Sequence, residues 1–228
     1  MRLDKSHRRL VFYSGGQESG NKALHEKLAR LTRKSKGRSL TYVPYSHENG
    51  EHFYRRIKRR YSRFGFRKFR YFAPDSDFMM REMHAALKSD VIYLAGGNTF
   101  YSLKHLRESG FLQKLKRFVD RGGVLAGLSA GAIIMTKDIK LAGYPPHEAD
   151  VNEVRLKNLK ALDLVNFDFL PHYNNSKTSS DSMIRYSKRQ KRPIFACPDG
   201  SGIVVDGPTL HIFGEIYLFL QGRKLQLA

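Results

Sequence analysis

The sequence has one cysteine, no long apolar run, and half as many acidic as basic residues. Cys197 alone excludes an intramolecular disulfide and fits a reducing compartment such as the cytoplasm. The apolar run at residues 10–13 is too short for a signal peptide, and no stretch approaches the roughly 20 apolar residues of a membrane-spanning helix. We therefore expect a soluble, cytoplasmic protein with no membrane partner.

The shortage of acidic residues leaves a strongly positive chain. Its 41 Lys and Arg against 21 Asp and Glu give a net charge of +20, so an anionic partner or substrate has to be considered. Residues 54–72 hold nine basic and no acidic residues between aromatics, a pattern typical of nucleic-acid surfaces. The stronger interpretation is a helix to about Arg63 with Phe53, Ile57 and Tyr61 on one face and the basic side chains solvated. A strand in which Phe64 and Phe66 pack inward would follow it. Nucleic acid is therefore a partner to consider but not the favoured one.

Short apolar strands alternate with amphipathic helices along most of the 228 residues. This rhythm predicts a mostly parallel sheet with helices on both faces. Residues 192–227 instead alternate apolar and polar side chains around Asp-Gly and Gly-Pro turns, which indicates a C-terminal β-hairpin region at one end of the sheet. The sequence contains no linker or repeat, so we expect a single α/β domain over residues 1–228.

A glycine-flanked serine follows one of the predicted strands, in the segment GGVLAGLSAGAIIM. Ser129 lies between Gly127 and Gly131, the Gly-x-Ser-x-Gly pattern of a nucleophile elbow, in which a tight strand-to-helix turn exposes the hydroxyl. The amides of Ala130 and of Gly97, in the segment AGGNTF, would then form an oxyanion hole. A simple turn between a strand and a helix uses the same residue types, so the motif alone leaves both interpretations open.

A serine nucleophile needs a base, and nine histidines compete for that role. His172 follows the apolar part of the segment LVNFDFLPHYNN, so it would lie in a loop directly after a buried strand, as Ser129 does after another strand. A structural histidine at a strand end is equally common. Four other histidines in loops or the late hairpin remain alternatives: His47, His52, His147 and His211.

Four ordered segments resemble a known family. YLAGGNTFYSLKHLRESG, GVLAGLSAGAIIM, DLVNFDFLPHY and PDGSGIVV are similar, in order and spacing, to the dipeptidase E and cyanophycinase family of serine peptidases, over roughly residues 91–205. The resemblance implies a flavodoxin-like three-layer α/β sandwich, related to class I glutamine amidotransferases. It also implies a triad in the order Ser, Asp or Glu, His, with Ser129 as nucleophile and His172 as base.

The acidic member of the triad is harder to place. Reading backwards from His172 without a gap aligns the family's aspartate with Asp150, and a small alignment slip would substitute Glu148 or Glu153. Asp138, after the elbow, is a further candidate. Whichever carboxylate it is must fix the tautomer of His172 and stabilise the imidazolium.

The implied chemistry is acyl transfer. Ser129, deprotonated by His172, would attack a peptide carbonyl while the amides of Gly97 and Ala130 hold the oxyanion. No metal or cofactor is required, and the sequence has no ligand cluster of the His-Glu-x-x-His kind. We expect a monomer or a homodimer.

The resemblance implies small aspartyl peptides as substrates, and the positive charge would attract such acidic molecules. Ile133, however, stands where dipeptidase E has asparagine, so the aspartate preference does not follow from the resemblance alone. Substrate contacts are expected from polar residues that follow two of the predicted strands: Asn98, Thr99, Tyr173, Asn174 and Asn175.

Overall fold

The protein is an assembly of eleven strands and seven α-helices over the residues that the computed structural model describes, which are 7–16, 19–32, 37–48, 50–145 and 149–227. In chain order the elements are β1 (Arg9–Tyr13), α1 (Lys22–Leu31), β2 (Arg38–Val43), α2 (Gly50–Ser62), β3 (Phe66–Tyr71), α3 (Met80–Ala86), β4 (Val91–Leu94), α4 (Thr99–Glu108), α5 (Phe111–Asp120), β5 (Val124–Leu128), α6 (Ala130–Ile134), β6 (Asp168–Leu170), α7 (Lys177–Ser187), β7 (Ile194–Ala196), β8 (Gly202–Asp206), β9 (Thr209–Phe213), β10 (Tyr217–Leu220) and β11 (Arg223–Gln226). Within these ranges, no helix is long and apolar enough to cross a membrane.

The larger of two sheets has seven strands in the order β3-β2-β4-β5-β1-β8-β9. The first five are parallel, and β8 and β9 continue the sheet as an antiparallel hairpin beside β1. The predicted α/β class with a mostly parallel sheet is therefore confirmed. The carboxyl ends of β1, β2, β4 and β5 share one edge, which is where such sheets bind ligands.

Helices cover both faces of this sheet because its strands are apolar on both sides. Along β1, Leu10 and Phe12 pack into a core with α3 to α6, whereas Val11 and Tyr13 pack into a second core with α1 and α2. Successive side chains of a strand point to opposite faces, so one uniformly apolar strand supplies both cores. The result is the three-layer arrangement that the resemblance implied.

The smaller sheet has four strands in the order β11-β10-β7-β6, with β6 and β7 parallel. The C-terminal strands therefore divide between the two sheets: β8 and β9 extend the larger one, and β10 and β11 belong to the smaller one. Sequence analysis predicted a strand before His172 but not this second sheet, because strands of three residues such as β6 and β7 have too short a pattern to indicate how they pair. The helices α5 and α7 were also not anticipated.

The basic, aromatic segment at residues 54–72 forms α2 and β3, and β3 is an edge strand of the larger sheet. Tyr61 and Phe66 are fully buried. The other aromatics of the segment that join the core shared with α1 are partly buried: Tyr54, Phe64, Phe69 and Tyr71. Most of its basic side chains are exposed. These aromatics are thus core residues rather than a stacking platform, in line with the favoured interpretation, although Phe53, which was predicted on the same face as Ile57 and Tyr61, is exposed.

The two glycines of the elbow allow α6 to lie directly on the sheet. A Cβ atom added to Gly127 would overlap the backbone of Gly131, and one added to Gly131 would overlap the backbone of Leu94. Both positions therefore require glycine because backbone, unlike a flexible side chain, cannot move aside cheaply.

Alanine at either elbow glycine should destabilise the fold. We expect Gly127→Ala and Gly131→Ala each to lower the free energy of unfolding by about 1–3 kcal/mol, the usual cost of overpacking. Urea unfolding followed by circular dichroism measures it. Gly143→Ala is the matched control, since its added Cβ would meet only Phe100 at 3.9 Å, and it should be neutral or slightly stabilising. Equal effects at all three positions would contradict the close-packing argument.

Candidate active site

Ser129 occupies a strained turn between β5 and α6. Its backbone has φ 49° and ψ −110°, a conformation that non-glycine residues rarely adopt. A hydrogen bond stabilises this conformation, because the Ser129 N–H donates to the Tyr13 carbonyl at 2.9 Å and so continues the pairing of β5 with β1. Strained residues of this kind cost about 1–3 kcal/mol and cluster at active sites. The geometry is that of a nucleophile elbow.

His172 lies two residues beyond the end of β6, and its ring reaches the serine. The distance from His172 Nε2 to Ser129 Oγ is 2.9 Å. The strand is buried while the histidine side chain is half-exposed, as the sequence predicted for a residue delivered to a loop. The structure therefore brings together the two residues assigned as nucleophile and base, whose roles in catalysis stay predictions.

Asp199 is the carboxylate that meets the other nitrogen of His172. Its Oδ1 lies 2.6 Å from His172 Nδ1. Because a carboxylate accepts hydrogen bonds, Nδ1 carries the proton and Nε2 is free to accept the Ser129 hydroxyl. The proximity follows from β6 and β7, which run parallel with Leu170 opposite Ala196 and so end at the same edge.

The expectation that Asp150 would orient His172 is therefore corrected. His172 Nδ1 already forms a hydrogen bond with Asp199, and Asp150 instead accepts a hydrogen bond from the Thr99 N–H at 2.8 Å. The order along the chain is serine, histidine, aspartate. Sequence analysis quoted the motif PDGSG but missed Asp199, because only the parallel pairing of the short strands β6 and β7 reveals that the loops after them adjoin.

The other carboxylates considered for this role lie elsewhere. Asp138 pairs with Arg192 at 3.1 Å, and Glu153 is exposed on the loop that follows Asp150. Glu148 lies outside the described residues, as does His147 among the alternative bases. His47 binds Asp75, with Nδ1 3.0 Å from Oδ2. His52 lies in α2 and His211 in β9.

Ser14, at the end of β1, is a buried residue that sequence analysis missed. Its Oγ accepts a hydrogen bond from the His172 N–H at 2.7 Å and donates to the Cys197 carbonyl at 2.7 Å. The same oxygen is 3.2 Å from Asp199 Oδ1. Ser14 thus connects the larger sheet to both loops that carry the histidine and the aspartate. No sequence motif marks it, although it stands directly before Gly15-Gly16 at a strand end.

The residues expected to donate to an oxyanion, Ala130 and Gly97, lie at a helix start and in a glycine loop near Ser129. Ala130 is the first residue of α6, so its N–H has no acceptor within the helix. The glycine loop after β4 adjoins the nucleophile, since a Cβ added to Gly96 would lie 3.3 Å from Ser129 Cβ. Gly97 has φ +139°, a conformation that favours glycine.

The expected substrate contacts instead stabilise loops. Asn98 caps α4 by accepting from the Tyr101 N–H, and its amide donates to the Val151 carbonyl at 2.8 Å. Thr99 and Tyr173 are buried, so their side chains are not accessible to a substrate. Asn174 accepts from the Ser176 N–H, and the Asn175 amide donates to the Tyr217 hydroxyl. Within the described region, none of these five residues lines the cavity beside Ser129, and substrate contact by Asn98, Asn174 and Asn175 stays a prediction.

That cavity has a volume of about 300 Å³ and adjoins both reacting residues. Most of its lining is apolar or aromatic, including Ile133, Leu141, Tyr144, Pro145 and Leu170. Asp150 adds a carboxylate. A mostly apolar pocket with a few polar groups is the usual form of a site for a small molecule.

Cys197 is close to this site but is not a nucleophile. It is fully buried, and burial raises the pKa of its thiol well above the ordinary range. A neutral thiol is a poor nucleophile, so Ser129 is the nucleophilic side chain that the geometry supports.

Three proteins illustrate the similarity of the chain to known peptidases. The peptidase Lmo0363 of Listeria monocytogenes is 39% identical over 39% of this chain and 42% of its own length. Peptidase E of Pasteurella multocida is 28% identical over 64% of both chains. The probable alpha-aspartyl dipeptidase of Drosophila melanogaster is 24% identical over 92% of this chain and 88% of its own. The matches to the first relatives span half of their length or less.

Two solved structures share the fold. One is a putative peptidase E protein from Listeria monocytogenes, with a TM-score of 0.67 and 22% identity over 97% of this chain and 99% of the other. The other is a peptidase from an acI-B1 Actinobacterium, with a TM-score of 0.72 and 15% identity over 100% of this chain and 97% of the other. The model of peptidase family S51 matches residues 10–213, which include the elbow, the histidine and Asp199. The chain belongs to peptidase family S51.

Proposed function

We propose that the protein is a serine peptidase that hydrolyses small peptides with Ser129, His172 and Asp199 as its triad. The observation that carries the proposal is the continuous hydrogen-bonded chain from Ser129 Oγ through both ring nitrogens of His172 to Asp199 Oδ1. Nucleophile, base and orienting carboxylate each occupy the position that acyl transfer requires.

The mechanism follows from these positions. His172 Nε2 removes the Ser129 proton as Oγ attacks the peptide carbonyl, and Asp199 stabilises the imidazolium that forms. The N–H groups of Gly97 and Ala130 hold the oxyanion. His172 then protonates the leaving amine, and a water molecule activated by the same nitrogen hydrolyses the acyl-enzyme.

The proposed triad does not determine which substrate side chain the site prefers. An acidic, aspartyl substrate stays a prediction, supported by the net charge of +20 and by the name of the Drosophila relative. Among the described residues lining the cavity there is no lysine or arginine to bind a second carboxylate. The small volume supports a short peptide. A cytoplasmic location and a monomeric or homodimeric state also stay predictions.

Nucleic-acid binding is the alternative function. Its support is the run of exposed basic side chains in α2 and β3, which would contact phosphates. The burial of the neighbouring aromatics weakens this alternative.

Ser129→Ala should reduce peptide hydrolysis by at least about 1,000-fold, because it removes the only nucleophile of the mechanism. The measurement is hydrolysis of a dipeptide panel that includes aspartyl and leucyl dipeptides, together with covalent labelling by a fluorophosphonate detected by mass spectrometry. Labelling should occur on Ser129 in the wild type and be lost in Ser129→Ala. Hydrolysis by the wild type no faster than by this variant would contradict the proposal.

Asp199→Asn should slow both hydrolysis and labelling by about 10²–10⁴-fold, because the amide no longer fixes the tautomer of His172 or stabilises its cation. Glu153→Gln, which removes an exposed carboxylate from a nearby loop, is the matched control and should react at the wild-type rate. A rate for Asp199→Asn equal to that of the control would exclude Asp199 from the triad.

Ser14→Ala should lower the free energy of unfolding by about 1–3 kcal/mol, because it removes a buried hydroxyl and leaves the partly buried His172 N–H and the Cys197 carbonyl without their partner. It should also slow labelling of Ser129, since the histidine loop loses its link to β1. Ser62→Ala is the control: that hydroxyl bonds only within its own exposed helix, so the change should stay within about 0.5 kcal/mol. Indistinguishable urea unfolding curves for the two variants would refute the role given to Ser14.

A further inference from the structure

The loops that follow β2, β3 and β4 lie side by side at the carboxyl edge of the larger sheet. Strand β2 pairs in parallel with both β3 and β4, so all three loops begin at the same edge. The loop after β4 carries Gly97, a proposed oxyanion donor. The loop after β2 carries Tyr45 and His47, and the loop after β3 carries Asp75. Residues that the proposed mechanism does not use therefore surround the glycine loop.

The ring of Tyr45 packs directly against Gly97. A Cβ atom added to Gly97 would overlap that ring, so the absence of a side chain is what allows the contact. The Tyr45 ring also meets the ring of Tyr101 in α4 edge to face, with their centroids 6.1 Å apart. The position of the Gly97 backbone therefore depends on where the loop after β2 holds Tyr45.

Asp75 fixes that loop with one carboxylate oxygen. Its Oδ2 accepts from the His47 N–H at 2.9 Å, from His47 Nδ1 at 3.0 Å and from the Tyr101 hydroxyl at 3.1 Å. The Asp75 side chain is only 1% exposed. A single buried oxygen thus connects the loop after β2, the loop after β3 and the helix that follows the glycine loop.

The charge of Asp75 strengthens these connections. Burial alone would raise the pKa of Asp75, but the hydrogen bonds from the backbone and ring of His47 and from the Tyr101 hydroxyl outweigh it, so that this pKa lies below its ordinary value. The carboxylate is therefore ionised, and hydrogen bonds to an ionised group are roughly twice as strong as those between neutral groups. A neutral amide at this position would hold His47 more weakly.

We propose that Asp75 is a positioning residue that holds the loop carrying Tyr45 against Gly97 and so directs the Gly97 N–H at the oxyanion. The inference rests on the proposed peptidase function. Asp75 is not among the described residues that line the cavity beside Ser129, so it acts through its neighbours. Stabilisation of an oxyanion depends on exact placement of the donor, and a small displacement caused by a remote substitution can cost about 100-fold in rate.

Asp75→Asn tests the proposal because it keeps the size of the side chain and removes its charge. With aspartyl and leucyl p-nitroanilides as substrates, we expect kcat to fall about 10- to 100-fold and KM to change by less than about twofold. This split is expected because the oxyanion is present in the transition state but not in the bound substrate. The rate constant for labelling of Ser129 at saturating fluorophosphonate should fall by a similar factor.

Asp90→Asn is the matched control. Asp90 Oδ2 also accepts from a backbone N–H and a hydroxyl, both of Ser39, at 2.8 and 2.7 Å. Asp90 directly precedes β4, however, and so lies at the opposite edge of the sheet. We expect this variant to lose stability to urea as Asp75→Asn does, but to keep kcat within about twofold of the wild type.

A double-mutant cycle with Tyr45→Ala tests the route from Asp75 to Gly97. Once the Tyr45 ring is absent, Asp75→Asn should lower kcat by no more than about a further twofold. His47→Ala removes only the ring hydrogen bond from a half-exposed side chain, so it should fold, and we expect it to lower kcat about 3- to 10-fold. It decides the matter if Asp75→Asn does not fold.

Three outcomes would overturn the inference and leave the peptidase proposal intact. Asp75→Asn or His47→Ala could react at the rate of Asp90→Asn, or the losses in the cycle could simply add. In the third, Asp75→Asn would raise KM without lowering kcat, which would show an effect on substrate binding instead. A wild type that neither hydrolyses these substrates nor labels on Ser129 would remove the peptidase proposal, and this inference with it.

Discussion

The close contact between α6 and the larger sheet determines the geometry of the site. Because Gly127 and Gly131 have no side chains, the helix can lie against the ends of β4 and β5. The chain can then turn from strand to helix within one residue, and that residue, Ser129, takes the strained conformation that points its hydroxyl away from the core. The same contact places Ala130 at the start of the helix, where its N–H has no acceptor within the helix. One backbone approach thus arranges the proposed nucleophile and a proposed oxyanion donor in consecutive residues.

The rest of the proposed triad comes from the other sheet. Parallel β6 and β7 end at one edge, so the loops after them place His172 and Asp199 within hydrogen-bonding distance. This pair must then be aligned with a serine that belongs to a different sheet. Ser14 supplies that alignment, because it stands at the end of β1 and bonds to the backbone of both loops. A buried hydroxyl in this position is costly to remove, so it couples the stability of the sheet junction to the geometry of the site.

The sequence contained the information for the larger sheet and for two of the three residues of the proposed triad. Strong apolar runs at β1, β4 and β5 made these strands recognisable, and the glycines around Ser129 identified the turn. The third residue could not be assigned in the same way. Asp150 and Asp199 are both carboxylates in loops, but Asp199 follows β7, and the pairing of β7 with β6 brings its loop to His172. Three-residue strands carry almost no periodicity, so their pairing became visible only in three dimensions. The polar residues after the strands illustrate a related limit of sequence patterns, which do not distinguish a side chain that caps a helix, such as Asn98, from one that contacts a ligand.

Net charge and local charge lead to different conclusions about the ligand. A total of +20 attracts anions over long distances, but at physiological salt the field of exposed charges decays over about 8 Å. Binding inside the cavity depends on the groups that line it, and the described lining contributes the carboxylate of Asp150 with no lysine or arginine beside it. The exposed basic residues of α2 lie in the helical layer on the other face of the sheet from α4 and α6, and those of β3 lie on an edge strand. The surface charge therefore affects how often anionic molecules meet the protein, whereas the side chains that line the cavity determine which of them bind next to Ser129.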